Sequence, residues 1–429
     1  MTATLAVVGF TIAYLLIATE RIHRVAAALL GAGFMVVIGA SGADEAFFSQ
    51  DTGIDWNVIF LLLGMMVIVS VLKQTGLFDF LAIWAAKRAR GRPYAVMVLL
   101  SVITAVASAL LDNVTTVLLI APVTFLVCER IGVNPVPYLI AQVLASNIGG
   151  TATLIGDPPN IIIASRANLS FNDFLFNLAP IVVLMVLVFL GMCRLLFRSA
   201  FVYDPDKAAS VMTLNEREVI RDRRLLVKSL VVLAGVLVGF VLHSALRVEP
   251  SVVALLGAGV LVGISRLESA DFLEEVEWST LVFFAGLFIM VGALVEVGVI
   301  EELGQQVTGA VGDNYFLAAS VLLWGSAVLS GIVDNIPYVA TVSPLVNDLV
   351  ESGGGSSEAN ALWWALALGA DLGGNATAVG ASANVVMLGI AARNGHPISF
   401  WQFTKYGLVV AFVTIAIAWP YLYLRYYAF

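Results

Sequence analysis

The same sequence pattern occurs twice in this chain of 429 residues, at an offset of 222 to 226 positions. Residues 28–33 and 254–259 both read ALLGAG. An acid-amide pair interrupts a long apolar run once in each half, as Asp112-Asn113 and as Asp334-Asn335. Residues 147–160 and 371–384 also correspond, each with a glycine pair near its start and an asparagine at its end. Self-similarity over this length predicts two structurally equivalent halves.

Long apolar segments alternate with short polar ones in both halves. Hydrophobic residues make up 60% of the chain and charged residues 12%, and the mean hydropathy is +0.97, so we expect a polytopic membrane protein. The charged stretch 199–227 is interpreted as a cytoplasmic linker between the halves. The apolar segments lie at about residues 4–19, 25–41, 56–73, 93–111, 113–128, 136–165, 173–197, 228–245, 251–265, 278–295, 315–333, 335–350, 361–391 and 400–424.

The number of crossings in each half determines how the halves are oriented. Five transmembrane helices plus a re-entrant hairpin, or seven full crossings, are both odd numbers, so the second half begins on the opposite side of the membrane. With the amino terminus outside, all but three of the 22 Lys and Arg residues lie inside, as the positive-inside rule requires. The exceptions are Arg166, Arg247 and Arg425. The loop at 87–92 before the first hairpin is basic, and the corresponding loop at 301–313 is acidic.

We therefore predict an all-α polytopic membrane protein of two inverted repeats, residues 1–198 and 228–429, with both chain termini outside. Each repeat contains five transmembrane helices and one re-entrant helical hairpin, at about residues 93–128 and 315–350. Each also contains a discontinuous helix at the membrane midplane, at about residues 136–166 and 361–391. The glycine pairs and Pro158-Pro159 stop an α-helix, and the freed backbone groups need partners at this depth.

Four acidic residues are each the only charged residue in a long interval of the chain: Asp112 between residues 92 and 129, Asp157 between 130 and 166, Asp334 between 313 and 348, and Asp371 between 358 and 393. A charged side chain at the centre of a bilayer costs about 2.5–3.5 kcal/mol on insertion scales, so such residues normally face a cavity or a partner. We expect these four to couple transport to a proton or another cation. The alternative is that Asp112 and Asp334 only cap the helices that follow them.

Amides, hydroxyls and glycines surround these acids in the sequence. The oxygen-rich set contains no Arg or Lys, and it suits a cation, a proton or a neutral polyhydroxylated solute. The glycine pairs have an alternative explanation, because small residues also allow close helix packing. The candidate substrate-binding residues are Asn113, Thr115, Asn147, Gly149, Gly150, Thr151, Asn160, Asn335, Gly373, Gly374, Asn375, Thr377 and Asn384.

Several function classes lack their sequence signatures. The two cysteines, Cys128 and Cys193, and the three scattered histidines have no metal-ligand spacing, so we expect neither a resident metal nor a cofactor. No Walker A, G-x-S-x-G or H-E-x-x-H sequence is present, and no basic patch for nucleic acid. We therefore expect a protein that is not an enzyme.

Two motifs carry a resemblance to a known family. Residues 111–124, LDNVTTVLLIAPVT, and residues 147–160, NIGGTATLIGDPPN, resemble the ArsB/NhaD branch of the ion transporter superfamily. That branch includes arsenite permeases, sodium/proton antiporters and the melanosomal P protein. The resemblance implies that Asp112-Asn113 and Asp334-Asn335 are hairpin tips beside unwound helix segments. It also implies an elevator-like movement of a substrate-carrying domain against a scaffold.

Within the branch, the compact chain with short loops is most similar to an arsenite/antimonite permease of the bacterial inner membrane. The resemblance then implies export of the uncharged trihydroxides in exchange for protons. Sodium/proton antiport and organic-anion transport are the alternatives, and a membrane scaffold whose polar residues only cap helices is a fourth hypothesis. The expected partners are the metalloid solute, protons and the lipid bilayer. The sequence does not decide whether the protein works with a separate soluble ATPase subunit or forms a homodimer.

Overall fold

The computed structural model describes residues 1–19, 21–213, 215–311 and 314–428, and the regular structure in these ranges is helical throughout. Many apolar side chains on the long helices point outward, such as Leu187 at 62% and Val231 at 66% exposure, as expected for surfaces that face lipid. Nine described helices are long and apolar enough to cross a membrane: Thr2–Thr19, Trp56–Gln74, Pro93–Leu110, Asn113–Ile131, Ala179–Leu196, Arg223–Leu246, Trp278–Glu296, Tyr315–Ile332 and Phe400–Tyr427. The predicted all-α fold is confirmed.

The two halves contain corresponding helices in the same order. The first half consists of α1 (Thr2–Thr19), α2 (Arg24–Val37), α3 (Ala43–Phe48), α4 (Trp56–Gln74), α5 (Leu77–Arg88), α6 (Pro93–Leu110), α7 (Asn113–Ile131), α8 (Val136–Gly150), α9 (Pro158–Ala167), α10 (Phe171–Asn177) and α11 (Ala179–Leu196). The linker contains α12 (Pro205–Met212). The second half consists of α13 (Arg223–Leu246), α14 (Pro250–Ser265), α15 (Ser269–Leu273), α16 (Trp278–Glu296), α17 (Val299–Val311), α18 (Tyr315–Ile332), α19 (Asn335–Ser352), α20 (Ser357–Gly373), α21 (Ser382–Arg393) and α22 (Phe400–Leu422).

Equivalent glycines make equivalent contacts across the two halves. Gly64 on α4 packs against the backbone of Ala254 on α14, where an added Cβ would come within 2.8 Å. Gly286 on α16 packs in the same way against Ala28 on α2, at 3.0 Å. These are two pairs that the sequence repeat matches, so each half packs its glycine on the alanine of the other. A pseudo-two-fold axis therefore relates the halves.

Each acid-amide pair lies at the turn of a helical hairpin. Helix α6 ends at Leu110 and α7 begins at Asn113, while α18 ends at Ile332 and α19 begins at Asn335. Each hairpin packs along the next helix of its own half, α6 on α8 and α18 on α20. Close approach requires small residues there: a Cβ on Gly149 would lie 2.2 Å from the Ala105 carbonyl, and one on Gly373 would lie 2.5 Å from the Cα of Ala327.

Both discontinuous helices unwind after their glycine pair. The first is regular up to Gly150 and resumes at Pro158, and the second is regular up to Gly373 and resumes at Ser382. Pro158 and Pro159 occupy the first turn of α9, where their missing N–H groups cost nothing. Threonines tie each unwound segment to its hairpin, because Thr153 Oγ1 donates to Ala109 O and Thr377 Oγ1 donates to Gly331 O, at 2.5 and 2.6 Å.

The helices form two groups. The first group contains α1, α2, α4, α13, α14 and α16, which pack on each other through the α2–α16 and α4–α14 contacts. The second group contains the two hairpins, the two discontinuous helices, α11 and α22. The hairpin tips and the unwound segments lie where the two groups meet.

The linker packs against helices that belong to the first repeat. Helix α12 contacts α5 and α7, with Ala208 against Gly91, and Lys87 Nζ approaches Glu216 Oε2 to 2.5 Å. The hydrogen bond from Lys87 lowers the pKa of the Glu216 carboxyl.

Helix α13 begins at Arg223, inside the predicted 199–227 linker. Helix α17 covers residues 301–311 of the acidic segment 301–313, which was expected to be a loop, so that expectation was wrong. Leu214 of the linker and Asp313 of the acidic segment lie outside the described residues.

Candidate functional site

One carboxylate holds both hairpin tips. Asp157 occupies the start of α9, but its side chain does not cap that helix. Its Oδ2 instead accepts from Asn113 Nδ2 at 2.8 Å, and its Oδ1 accepts from Asn335 Nδ2 at 3.3 Å. All three side chains are buried. The tips of the two halves therefore meet at a single acid that comes from the first half.

Asn147 connects the halves a second time. Its Nδ2 donates to Asn375 Oδ1 and to Asn384 Oδ1, each at 3.0 Å, and its Oδ1 accepts from Asn113 Nδ2 at 3.3 Å. Asn384 in turn donates to the carbonyl oxygens of Gly374 and Thr377, both at 2.8 Å. The side chain of Asn147 thus uses both amide hydrogens and its oxygen, and it fixes the unwound segment of the second half.

Asp371 is the repeat counterpart of Asn147. It lies on α20, is fully buried, and faces Thr151 and Asn160 of the first half. Those two residues are the counterparts of Asn375 and Asn384, so the contact obeys the same pseudo-symmetry. The cluster of Asn113, Asp157, Asn147, Asn335 and Asp371, together with the asparagines that they contact, is called the central cluster below.

The two tip aspartates do cap helices, as the alternative interpretation proposed. Asp112 Oδ1 accepts from the backbone N–H of Thr115 at 2.8 Å, and Asp334 Oδ1 accepts from that of Ile336 at 3.0 Å. Asp334 has further partners, because its Oδ2 accepts from the Ser382 hydroxyl at 2.5 Å. Capping therefore accounts for the hydrogen bond that Asp112 accepts but not for all the contacts of Asp334.

An arginine reaches the site, which corrects the expectation that the site contains no Arg or Lys. Arg24, at the start of α2, donates to Ser382 Oγ at 2.7 Å and lies 4.0 Å from Asp334 Oδ2. It belongs to the first group of helices, whereas Asp334 and Ser382 belong to the second. A sequence signal existed, because a positive charge at a helix N-terminus is unfavourable unless a partner compensates it.

Glu277 extends this contact and was not among the sequence-predicted site residues. Thr280 Oγ1 donates to Glu277 Oε2 at 3.0 Å and accepts from Arg24 Nη2 at 3.4 Å. Glu277 also interacts electrostatically with Asp112. The sequence repeat matches Glu277 with Asp55, which receives a hydrogen bond from Ser165. Asp55 of the first group therefore contacts the first discontinuous helix directly, and Glu277 is connected to the second through Thr280 and Arg24.

The other candidate residues support the backbone around the central cluster. Gly149 and Gly373 provide the hairpin contacts described above, which supports the packing interpretation of these two glycines. Gly150 lies against the carbonyl of Gly156 and Gly374 against that of Gly380, inside the unwound segments. Their predicted role in substrate binding stays a prediction.

A cavity of about 330 Å³ opens beside the first discontinuous helix. Its wall includes Leu154 and Ile161, from the unwound segment and from α9, and the ends of α4, α13 and α14 complete it. Ser251 and Asn57, joined by a hydrogen bond of 2.8 Å, form part of the polar lining. Among the described residues, no group of three or more His, Cys, Asp and Glu side chains could hold a metal ion.

The arrangement combines hydrogen-bond donors, acceptors and acids in a buried place where the two halves meet. Buried amides and carboxylates of this kind can bind a proton, or they can exchange hydrogen bonds with a small hydroxylated solute. Two halves related by a pseudo-two-fold axis, with a binding site at unwound helix segments, are typical of secondary transporters.

Comparison with known proteins supports this class. Residues 14–369 match the CitMHS family, described as citrate transporter. The chain is 55% identical over 424 residues to a 46 kDa membrane protein of Mycobacterium leprae, covering 99% of each, and 57% identical over 425 residues to an uncharacterized transporter of Mycobacterium tuberculosis, again covering 99% of each. It is 33% identical to the P protein of Mus musculus over 95% of its own length, and spans 58% of that longer protein.

A solved structure has the same fold. The YdaH transporter of Alcanivorax borkumensis, described as having an unusual topology, superimposes with a TM-score of 0.61 over 92% of this chain and 88% of that one, at 15% identity. The relatives named as transporters agree with the expectation of a protein that is not an enzyme. This multi-pass membrane transporter belongs to the CitMHS citrate transporter family.

Proposed function

We propose that this transporter exports arsenite and antimonite, as their uncharged trihydroxides, in exchange for protons. The observation that carries the proposal is the central cluster, where the tips of both halves hydrogen-bond to the carboxylate of Asp157. A neutral trihydroxide can replace such amide-to-carboxylate hydrogen bonds one for one, because each hydroxyl donates and accepts. An anion of several charges would meet the repulsion of the neighbouring acids.

Proton coupling follows from the charge of the solute. The membrane potential does no work on an uncharged molecule, so export against a gradient requires a coupled ion. Four acids, Asp112, Asp157, Asp334 and Asp371, lie in or beside the central cluster and can change their protonation state there. These are the coupling residues of the proposal.

The movement that we propose is elevator-like. The first group of helices is the scaffold, and the second group carries the central cluster across the membrane. The polar contact from Arg24 to Ser382 and Asp334 joins the two groups, so it must break and re-form in each cycle. We place both chain termini and the 330 Å³ cavity on the outer side of a bacterial inner membrane. A homodimer and a separate soluble ATPase are also compatible with this scheme.

Organic-anion transport is the second candidate function. The specific observation in its favour is Arg24, which supplies a positive charge at the edge of the site, and the family description names citrate as the substrate. A carboxylate could replace Asp334 as the partner of this arginine, with bidentate geometry. Sodium/proton antiport, the other alternative, would use the same four acids.

Everted membrane vesicles from an arsenite-sensitive host test the proposal. With an imposed pH gradient, vesicles that contain the protein should accumulate arsenite, and an uncoupler should abolish the accumulation. Parallel assays use citrate and sodium in place of arsenite. Accumulation of citrate instead of arsenite would favour organic-anion transport. Sodium-driven pH changes without arsenite movement would favour sodium/proton antiport. Vesicles with the Asp157→Ala variant at equal expression are the control, and we expect no accumulation in them.

A further inference from the structure

Helix α10 docks on α13, and this contact joins the two groups of helices. Helix α10 packs on α11 of the second group, whereas α13 belongs to the first group. The ring of Phe171 stacks on that of Phe240, with the ring centroids 5.7 Å apart. Asn172 Nδ2 donates to the Val241 carbonyl at 2.8 Å, and the Phe171 N–H donates to His243 Nε2 at 3.3 Å. We call this set of contacts the first joint.

Helix α22 begins with the same sequence pattern as α10. Residues 169–174 read LSFNDF, and residues 398–403 read ISFWQF. Ser170 and Ser399 each cap their helix by accepting a hydrogen bond from the backbone N–H three residues further on. The pattern therefore matches Phe400 with the phenylalanine of α10 that forms the first joint.

Helix α1 corresponds to α13 at the offset of 226 that aligns the two ALLGAG sequences. This offset matches Phe240 of the first joint with Tyr14, so the second half also has an aromatic residue on each side of the equivalent position. It matches His243 with Ile17, whose side chain cannot accept a hydrogen bond. The second half can therefore repeat the ring contact of the first joint, but not its contact with the histidine.

The equivalent rings lie apart in the second half. Phe171 of the first joint is buried, whereas Phe400 is 40% exposed and its neighbour Trp401 is 75% exposed. Phe400 and Trp401 contact each other edge to face, and Tyr14 stacks on Phe10 of its own helix. Among the described residues of α1 and α22, no ring contact or hydrogen bond joins the two helices. The second half therefore has the parts of a joint that is not formed in this structure.

The pseudo-two-fold axis assigns a partner to these exposed rings. In a transporter of inverted repeats, rotation about an axis in the membrane plane exchanges the two membrane surfaces, so it also exchanges a state open to one side with a state open to the other. A contact that one half makes in the first state is then made by the other half in the second state. A molecule in one of its two end states should therefore have one joint formed and the equivalent joint broken, as observed here.

We propose that Phe400 and Trp401 dock on α1 in the other end state, with Phe400 against Tyr14, and that the first joint breaks when this second joint forms. The inference rests on the movement of the second group proposed above, and it names the surfaces that hold the two ends of that movement. Trp401 takes the position of Asn172 in the second joint, and its indole N–H is a hydrogen-bond donor, as the asparagine amide is. An aromatic anchor at the membrane surface, by contrast, would need no partner on α1.

Cysteine pairs at equivalent positions report the two joints. Asn172→Cys with Val241→Cys spans the first joint, and Trp401→Cys with Leu15→Cys spans the second. Trp401→Cys with Thr4→Cys is the matched control, because residue 4 lies on the same face of α1 about 16 Å further along the helix. Both native cysteines are buried. Membranes are oxidised without any solute and the linker is then cut by a protease, so that only a disulfide keeps the two halves in one band.

We expect the first pair to cross-link readily and the second pair to cross-link several times faster than the control. Phe171→Ala removes one ring of the first joint and should shift the equilibrium toward the second joint. The free energy of an aromatic pair corresponds to roughly a two- to tenfold change in an equilibrium constant, so the second pair should cross-link faster by about that factor. If Phe171→Ala does not fold, Asn172→Ala, which removes only the hydrogen bond to Val241, replaces it with a smaller expected increase.

A second pair that cross-links no faster than the control would overturn the proposal and leave Phe400 and Trp401 as an anchor at the membrane surface. A rate that stays unchanged when the first joint is weakened would also overturn it, because the two joints would then not exclude each other. The readout needs no solute, so it is separate from the proposed function. Cross-linking of the second pair in a protein that does not move arsenite would support the two joints and reject the solute, whereas arsenite transport without such cross-linking would reject the second joint alone.

Discussion

The two discontinuous helices share one geometry but differ in where they place charge. The first has the amide Asn147 before its unwound segment and the acid Asp157 after it, and the second has Asp371 before and Ala381 after. Asn147 donates across the pseudo-two-fold axis, whereas at the equivalent position a buried acid, Asp371, lies beside Thr151 and Asn160. The two halves therefore share one backbone arrangement, and the positions where their side chains differ include the acids that we propose as coupling residues.

The two hairpin tips differ in a similar way. Asp112 and Asp334 both cap the helix that follows, but only Asp334 also contacts Ser382 and the guanidinium of Arg24. The repeat counterpart of Arg24 is Pro250, which has no charge. Among the described residues, a basic side chain therefore joins the two groups of helices at the Asp334 tip and not at the Asp112 tip, and the two tips should respond differently to substitution.

The largest effect is expected from Asp157→Ala. The amides of Asn113 and Asn335 would lose their shared acceptor, which should lower the free energy of unfolding by roughly 2–5 kcal/mol and abolish transport. Chemical unfolding in detergent and vesicle assays measure the two outcomes. Asp157→Asn, which keeps one acceptor oxygen, should lose less stability. An Asp157→Ala protein as stable as the wild type would mean that the tips do not depend on this carboxylate.

The exchange of acid and amide at equivalent positions should have opposite effects in the two halves. Asn147→Asp places a carboxylate against Asn375 Oδ1 and Asn384 Oδ1, so we expect a loss of about 1–3 kcal/mol at mildly alkaline pH. Asp371→Asn replaces a fully buried acid by an uncharged side chain of the same shape, so it should leave stability unchanged or raise it. Unfolding curves of both variants decide the point, and equal destabilisation by the two would contradict the asymmetry.

Much of this architecture could be predicted from the sequence. The Asp-Asn pairs marked both hairpin turns, and the glycine pairs with Pro158 marked where the first helix unwinds. These features are local, because helix breaking depends on neighbouring residues. The side chains that contact the buried acids were not predictable in this way. Arg24 and Ser382 are 358 positions apart, and only the packed arrangement of both halves shows that they touch.

A smaller effect is expected from Arg24→Gln. The Arg24 side chain is 30% exposed, so loss of its ion pair should change stability by less than about 1 kcal/mol. The transport rate should change more, because the contact joins the two groups of helices. In the Asp334→Asn background, Arg24→Gln should have little further effect on the rate. Arg21→Gln, three residues before Arg24 and outside α2, is the matched control, and an equal change of rate in that variant would show a general effect of charge.

The smallest effect concerns the linker. The pKa of Glu216 is lowered by its hydrogen bond with Lys87, so the contact contributes fully above the unfolded pKa of the carboxyl and is lost as the pH falls through the lowered folded value. Limited proteolysis of the linker should therefore accelerate in acid. Glu216→Gln should already be cleaved faster at neutral pH, with transport unchanged. Cleavage rates that do not depend on pH or on this substitution would mean that the contact does not hold the linker.

The most direct test of the account records proton and arsenite movement together. Purified protein in liposomes with an internal pH dye receives an arsenite gradient but no pH gradient. We predict that arsenite movement drives protons in the opposite direction, and that Asp157→Ala abolishes both fluxes. Arsenite that equilibrates across the membrane while the internal pH stays constant would contradict the coupling on which the account depends.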